Sequence, residues 1–197
     1  MKKFFVAAFT AVVAVMMLAG CTKGANSTAS IVGTWESYSA TTVYLDANGN
    51  PMSLKDVAIA MMKATGLVSD EIIEQMDDAI NQRVKELEKT QTQVFDDKYK
   101  SRVEFTSDGT MKGYEKDGAE WKEAGSGTYK YEGNKLTMTA TDLDEMFSGT
   151  ATVVKLDATN LVMRVKMSDM VEEVKAAEES SDLGFDILMD LTLVRVK

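Results

Sequence analysis

Acidic residues, one cysteine and scattered serines are the groups in this chain whose types and spacing could do chemistry. Asp142 and Asp144 are a carboxylate pair suited to general acid-base work, yet spacing along the chain places no such pair across a substrate. Asp46, Asn48 and Asn50 fit the first three ligand positions of a calcium loop of the EF-hand kind. Gly49 comes too early for it, Pro51 occupies the glycine position and Val57 the final ligand position, so the loop fails as a cation site. Its asparagines and glycine are explained by a turn. Nucleophilic catalysis needs a nucleophile and a base. The chain has no histidine, serines such as Ser107 and Ser126 stand in turn or tether contexts, and no Gly-x-Ser-x-Gly occurs. Without histidine, and with one cysteine, zinc, copper, haem and iron-sulfur centres have no ligand set and no disulfide can form within the chain. These residues point away from an enzyme, a metal site or a cofactor.

Cys21 has a different chemistry open to it. Lys2 and Lys3 precede the run FFVAAFTAVVAVMMLAG, a basic start followed by an apolar stretch ending in small residues, which is a secretory signal and not a domain element. Leu18-Ala19-Gly20-Cys21 resembles the lipobox of bacterial lipoproteins, in which the peptidase cuts before the cysteine and the cysteine carries acyl chains such as palmitate. That resemblance implies a signal peptide over residues 1–20, lipidation at Cys21, and a domain anchored to a membrane rather than spanning it. Residues 22–30, TKGANSTAS, are small and polar and read as a flexible tether. In lipoproteins of the Bacteroidetes type an acidic run after the cysteine favours surface export. Its absence here implies an outer-membrane lipoprotein facing the periplasm.

The net charge of −9 becomes −11 once residues 1–20, with their two lysines, are removed. An acidic domain beside anionic lipid is repelled, so the acyl anchor and not a basic patch must hold it at the membrane. Nucleic-acid binding loses its electrostatic basis for the same reason.

The elements that would position any site follow from periodicity. A β-like segment runs from Ile31 to about Leu45 and ends in the turn signal Asp46-Ala47-Asn48-Gly49-Asn50-Pro51. Ser53 with Asp56 three residues on forms a helix start, and Leu54, Val57, Ala58, Met61 and Met62 fall at helical spacing before Gly66. Ser69 opens a second helix with Asp70 and Glu71 in its first turn. Its apolar face is Ile72, Ile73, Met76, Ala79, Ile80, Val84 and Leu87. From Tyr99 onward the punctuation is that of hairpins, with turns at Ser107-Asp108-Gly109, Glu132-Gly133-Asn134 and Asp157–Asn160. Leu136, Met138 and Ala140 alternate with threonines, and Leu161, Met163, Val165 and Met167 alternate with Arg164 and Lys166. Each such strand has one wet and one dry face. Residues 168–183 read as a short acidic helix and 186–196 as a last strand. The whole predicts about eight antiparallel strands in a mainly β fold, a sandwich or an up-and-down barrel that closes first strand on last, in a single domain over residues 31–197.

The order of motifs VGTW, then F-x-SDGT, then GTY-x-x-x-GNKLTMT, then LTLVRV resembles the lipocalin-like lipoproteins of Bacteroidetes-type bacteria, within the wider calycin group. The likeness covers residues 31–45 and roughly 99–196. It implies an eight-stranded calycin-like barrel whose base is closed by Trp35 on the first strand, preceded by Gly33, with Arg195 of the last strand packed across its ring; such a contact contributes roughly 0.5 to 2 kcal/mol. The departure is the insert of residues 46–98, whose helical hairpin occupies the position where the related fatty-acid-binding proteins carry a helix-turn-helix lid. That analogy suggests a lid or plug and is associational only.

Two functional expectations follow. In one, the barrel takes up a small apolar or amphiphilic ligand. The candidate lining is Val103, Phe105, Leu136, Met138, Leu161 and Met163 from strands, with Met61, Met62, Met76 and Ile80 from the helices. Unbranched thioethers repack around varied shapes, which suits promiscuous apolar surfaces, but they equally fill an irregular core. In the other, the barrel is filled and the domain acts as an interaction or inhibitor module toward an envelope protein.

Overall fold

The structure is a computed structural model and describes residues 29–64, 69–141, 149–169 and 184–197. The signal segment, Cys21, most of the tether, Asp142 and Asp144 lie outside the described residues. Of the acidic helix expected over 168–183, Ser168 and Asp169 belong to a 3-10 turn, Met167–Asp169, and the remainder lies outside them.

Among the described residues there are nine strands: β1 (Gly33–Asp46), β2 (Thr92–Val94), β3 (Ser101–Phe105), β4 (Thr110–Asp117), β5 (Glu120–Glu132), β6 (Lys135–Ala140), β7 (Gly149–Leu156), β8 (Asn160–Lys166) and β9 (Phe185–Arg195). Their order is β2-β1-β3-β4-β5-β6-β7-β8-β9, and β9 also pairs with β1. The eight long-connected strands therefore close into an antiparallel barrel, with β2 as an additional strand on β1. Closure pairs the first and last barrel strands, which would otherwise be open edges able to template association.

The turns that set the register are chemically specified. Gly109 and Gly133 take φ values of +80 and +62, a left-handed conformation costly for residues with a Cβ. At the β7–β8 turn the Asp157 carboxylate accepts hydrogen bonds from the amides of Thr159 (2.8 Å) and Asn160 (2.7 Å). Those bonds, with Lys155, hold its carboxyl well below the ordinary range. Asp108 does the same at the β3–β4 turn, where bonds from Thr106 and Thr110 lower it to about 2. Register shifts occur between Gly113 and Tyr114 in β4 and between Val153 and Lys155 in β7; bulges of this kind bend strands and raise their twist.

The described chain divides into two compact units. One comprises residues up to Ala40, 94–165 and 190–197 and holds most of the barrel. Its core includes Trp35, Val103, Phe105, Met111, Leu136, Met138, Leu161, Met163, Val165, Leu191 and Leu193, which occupy the dry face of each strand.

The other unit comprises 41–93 and 166–189 and has its own core of Tyr44, Val57, Ala58, Ile73, Ile80, Leu87 and Phe185. Tyr44 and Phe185 meet edge to face with ring centroids 5.8 Å apart. Among its described residues are three helices: α1 (Leu54–Ala64), α2 (Asp70–Ile73) and α3 (Asp77–Gln91). Ser53 Oγ accepts from the Asp56 amide at 3.1 Å, which satisfies one of the orphan donors at the α1 start. The helix expected to run unbroken from Ser69 through Leu87 is in two pieces. It stops at Ile73, turns at Glu74 and Gln75, and restarts at Asp77. Asp77 and Asp78 supply the acidic first turn that favours a new helix start. The break also shifts the phase, leaving Ile72 at 47% exposure while Ile73 and Ile80 are buried.

Candidate functional site

The base of the barrel is built on Trp35, which is 0% exposed. Its indole Nε1–H donates to the carbonyl of Ile31 at 2.7 Å, so the one polar atom of the ring is satisfied. The Arg195 guanidinium carbon stands 4.1 Å from the ring centroid. Its Nη1 donates to the carbonyl of Val32 at 2.9 Å, its Nε to that of Ala158 at 3.1 Å, and its Nη2 to that of Ser30. Gly33 is required at this spot twice over. Its φ is +135, and a Cβ there would lie 2.3 Å from Arg195 Nη1. One side chain thus ties the entry to β1, the β7–β8 turn and the end of β9 together. The amide of Val196 adds a bond to the Thr34 carbonyl at 2.9 Å.

Above this base the six strand candidates are core. Phe105, Leu136, Met138, Leu161 and Met163 are 0–3% exposed and Val103 is 6% exposed, so neighbours pack them on nearly every side. Phe105 meets Tyr129 edge to face with centroids 4.8 Å apart. The Tyr129 hydroxyl donates to the Thr106 carbonyl at 2.8 Å, and burial pushes its pKa up. The four helix candidates fall in the other unit: Ile80 is in its core, and Met61, Met62 and Met76 are partly buried against that core.

The side chains become small further along the inner wall. Trp35, Ser37 and Ser39 alternate on one face of β1, opposite the exposed Tyr38, and Ser101 lies on the dry face of β3. In the row of Trp35 itself, its partner Val103 pairs with Gly113, and Gly113 with Gly125. Among the described residues the buried polar ones are Ser37, Ser39 and Ser101, and none of the buried residues is charged. The sequence reading passed over these serines. Their signal was the inward parity they share with Trp35 along β1.

Among the described residues the charged side chains are half-buried or exposed. Glu36 pairs with Arg102 at 2.8 Å and with Lys100 at 3.1 Å. Partial burial works to raise its carboxyl, but the hydrogen bonds and charges of those two cations outweigh that and hold it below the ordinary value. Arg102 also lies over Trp121, 4.1 Å from the ring centroid. Arg164 and Asp190 form a two-pronged pair between β8 and β9 at 2.7 and 2.8 Å, a geometry that fixes orientation as well as charge. Among the described residues no group of three or more acidic, histidine or cysteine side chains is placed to hold a metal ion.

A closed antiparallel barrel with a tryptophan-arginine base and no charged side chain among the buried described residues has the architecture of a ligand-binding fold. The chain matches the family model of the lipocalin-like domain over residues 31–163 and belongs to that family. The lipocalin-like family is generally a non-enzymatic binding fold. No curated protein and no solved structure matches the chain.

Proposed function

We propose that this protein is an envelope lipoprotein whose lipocalin-like barrel carries a small apolar or amphiphilic molecule and performs no catalysis. The observation that carries the reading is that no charged side chain is buried among the described residues in a chain whose net charge is −9. A wall without ionic groups imposes no desolvation cost on an apolar guest, and burying such a guest gains about 25 cal/mol per Å² of apolar surface. The packed rows beside the base serve stability, which leaves the small-lined stretch bearing Ser37 and Ser39 as the place where a guest displaces least.

Binding is tested by titrating the purified chain with N-phenyl-1-naphthylamine, a dye that fluoresces in apolar surroundings. Saturable uptake at one dye per chain is expected, and a signal no greater than that of an unrelated folded protein refutes the carrier reading.

The lipobox at Leu18–Cys21 and the small polar stretch after it support anchoring through Cys21, at an outer membrane and on its periplasmic side. Several acyl chains give stable attachment where a single one gives reversible binding. Cys21→Ala is expected to abolish labelling by radioactive palmitate and to remove the protein from the lipid-anchored fraction. Palmitate incorporation equal to the parent's refutes lipidation at this residue.

A further inference from the structure

Three buried hydroxyls on the barrel's inner wall share a single hydrogen bond. Ser37, Ser39 and Ser101 are 1%, 7% and 5% exposed. The Ser101 amide donates to Ser37 Oγ at 2.9 Å, while the hydroxyls of Ser39 and Ser101 make no hydrogen bond among the described residues. A buried hydroxyl without a partner is disfavoured, and each such group in a folded protein calls for an explanation. Alanine at these positions would fill the wall as well without that cost.

The surroundings of the three serines narrow the explanation. Glu36 pairs with Arg102, so Ser37 and Ser101 follow on the same two neighbouring strands. On β4 the partner of Ser101 is Glu115, which is exposed, while Gly113 and Gly125 stand in the row of Trp35 and Val103. The buried strip is therefore the serines of β1 and β3, with Trp35, Val103 and Phe105 filling the rows of the same two strands nearer the base. It is small-lined and hydrogen-bonding, and the charged group across from it on β4 is a carboxylate and not a cation.

We propose that this serine strip receives the uncharged, hydrogen-bonding head of an amphiphile, of the class of a monoacylglycerol or a long-chain alcohol. The inference rests on the reading of the barrel as a carrier and names the head group that the carrier selects. A serine hydroxyl donates and accepts by rotation, so Ser39 and Ser101 suit a hydroxyl or ester group that does both. A carboxylate head does not suit them. It would enter a wall where no buried lysine or arginine among the described residues offers a counter-charge, and an unpaired buried charge is far costlier than a neutral hydroxyl. Because the serines are closed off in this structure, the guest must displace the atoms that cover them. The hydrogen bonds it brings to Ser39 and Ser101 are ones those hydroxyls now lack.

The test is competition against N-phenyl-1-naphthylamine on the purified chain at pH 8, using 1-monooleoylglycerol, oleyl alcohol and oleate, with the parent and with Ser39→Ala and Ser101→Ala. The two neutral lipids are expected to displace the dye at concentrations about tenfold lower than oleate. Each serine substitution is expected to weaken the neutral lipids about fivefold more than it weakens oleate or the dye, the size of one lost hydrogen bond. If the dye binds but oleate competes as well as the neutral lipids, or the substitutions leave monooleoylglycerol unaffected, the serine strip is not the head-group site and the carrier reading stands. If the substitutions raise the unfolding midpoint and leave every affinity alone, the hydroxyls hold water only, and the proposal is overturned. If the parent binds no dye, the carrier reading fails and this inference fails with it.

Discussion

Trp35→Ala is expected to remove most of the stability of the barrel. Truncating a fully buried aromatic side chain costs about 3 to 5 kcal/mol, and the lost cation-π contact with Arg195 adds roughly 0.5 to 2 kcal/mol. Against a total domain stability of about 5 to 15 kcal/mol, that is enough to leave a large unfolded fraction. The substitution also strips the Ile31 carbonyl of its donor and leaves Arg195 facing a void where it now lies on the ring. Urea unfolding followed by far-ultraviolet circular dichroism measures the change, and Trp121 remains as a fluorescent reporter. Trp35→Phe should fall between parent and alanine variant, because it retains a ring under the guanidinium and loses the indole N–H bond. An alanine variant with the parent's midpoint would show that the base is ornament and not closure.

Phe105→Ala is the second large effect, expected at about 3 to 5 kcal/mol of lost stability. Phe105 is 1% exposed and pairs on β3 with Gly33 across the sheet, directly above the base. The change also forfeits the edge-to-face contact with Tyr129, a geometry that adds about 0.5 to 1.5 kcal/mol beyond simple burial. This experiment separates two roles for the residue. A side chain lining an adaptable binding surface can be shortened at small cost and with a change in dye affinity. A packed core residue loses stability first. A loss under about 1 kcal/mol together with altered dye uptake would move Phe105 from the core to the binding surface.

Turn chemistry and strand parity were legible in the sequence because each is a local property. Asp108-Gly109 and Asp157–Asn160 announce their hairpins through the bonds an aspartate makes to amides two or three residues on, and the structure shows those bonds. Leu136, Met138, Leu161 and Met163 declared the dry faces by alternation. The break between α2 and α3 was not legible, since apolar spacing continues from Ile72 through Met76 to Ile80 as though one helix ran on. Only the acidic pair Asp77-Asp78 hinted at a second start. β2, three residues long, carries too few positions for a period to emerge. The register shifts in β4 and β7 depend on cross-strand partners that no local window contains. The serine strip lay in plain sight at inward parity but reads as ordinary strand until burial and missing partners are known.

Arg195 bonds to the Val32 carbonyl across a separation of 163 residues. Contacts so distant in sequence are late contacts, because the entropy of closing the intervening loop must be met before they form. The ring of strands cannot shut until nearly the whole chain has been made, and until then β1 and β9 each keep an unpaired edge. The first strand therefore waits while everything else is made. Loss of only the last few residues would leave a molecule with nearly all its strands and no seam, the kind of species that proteases and chaperones recognise.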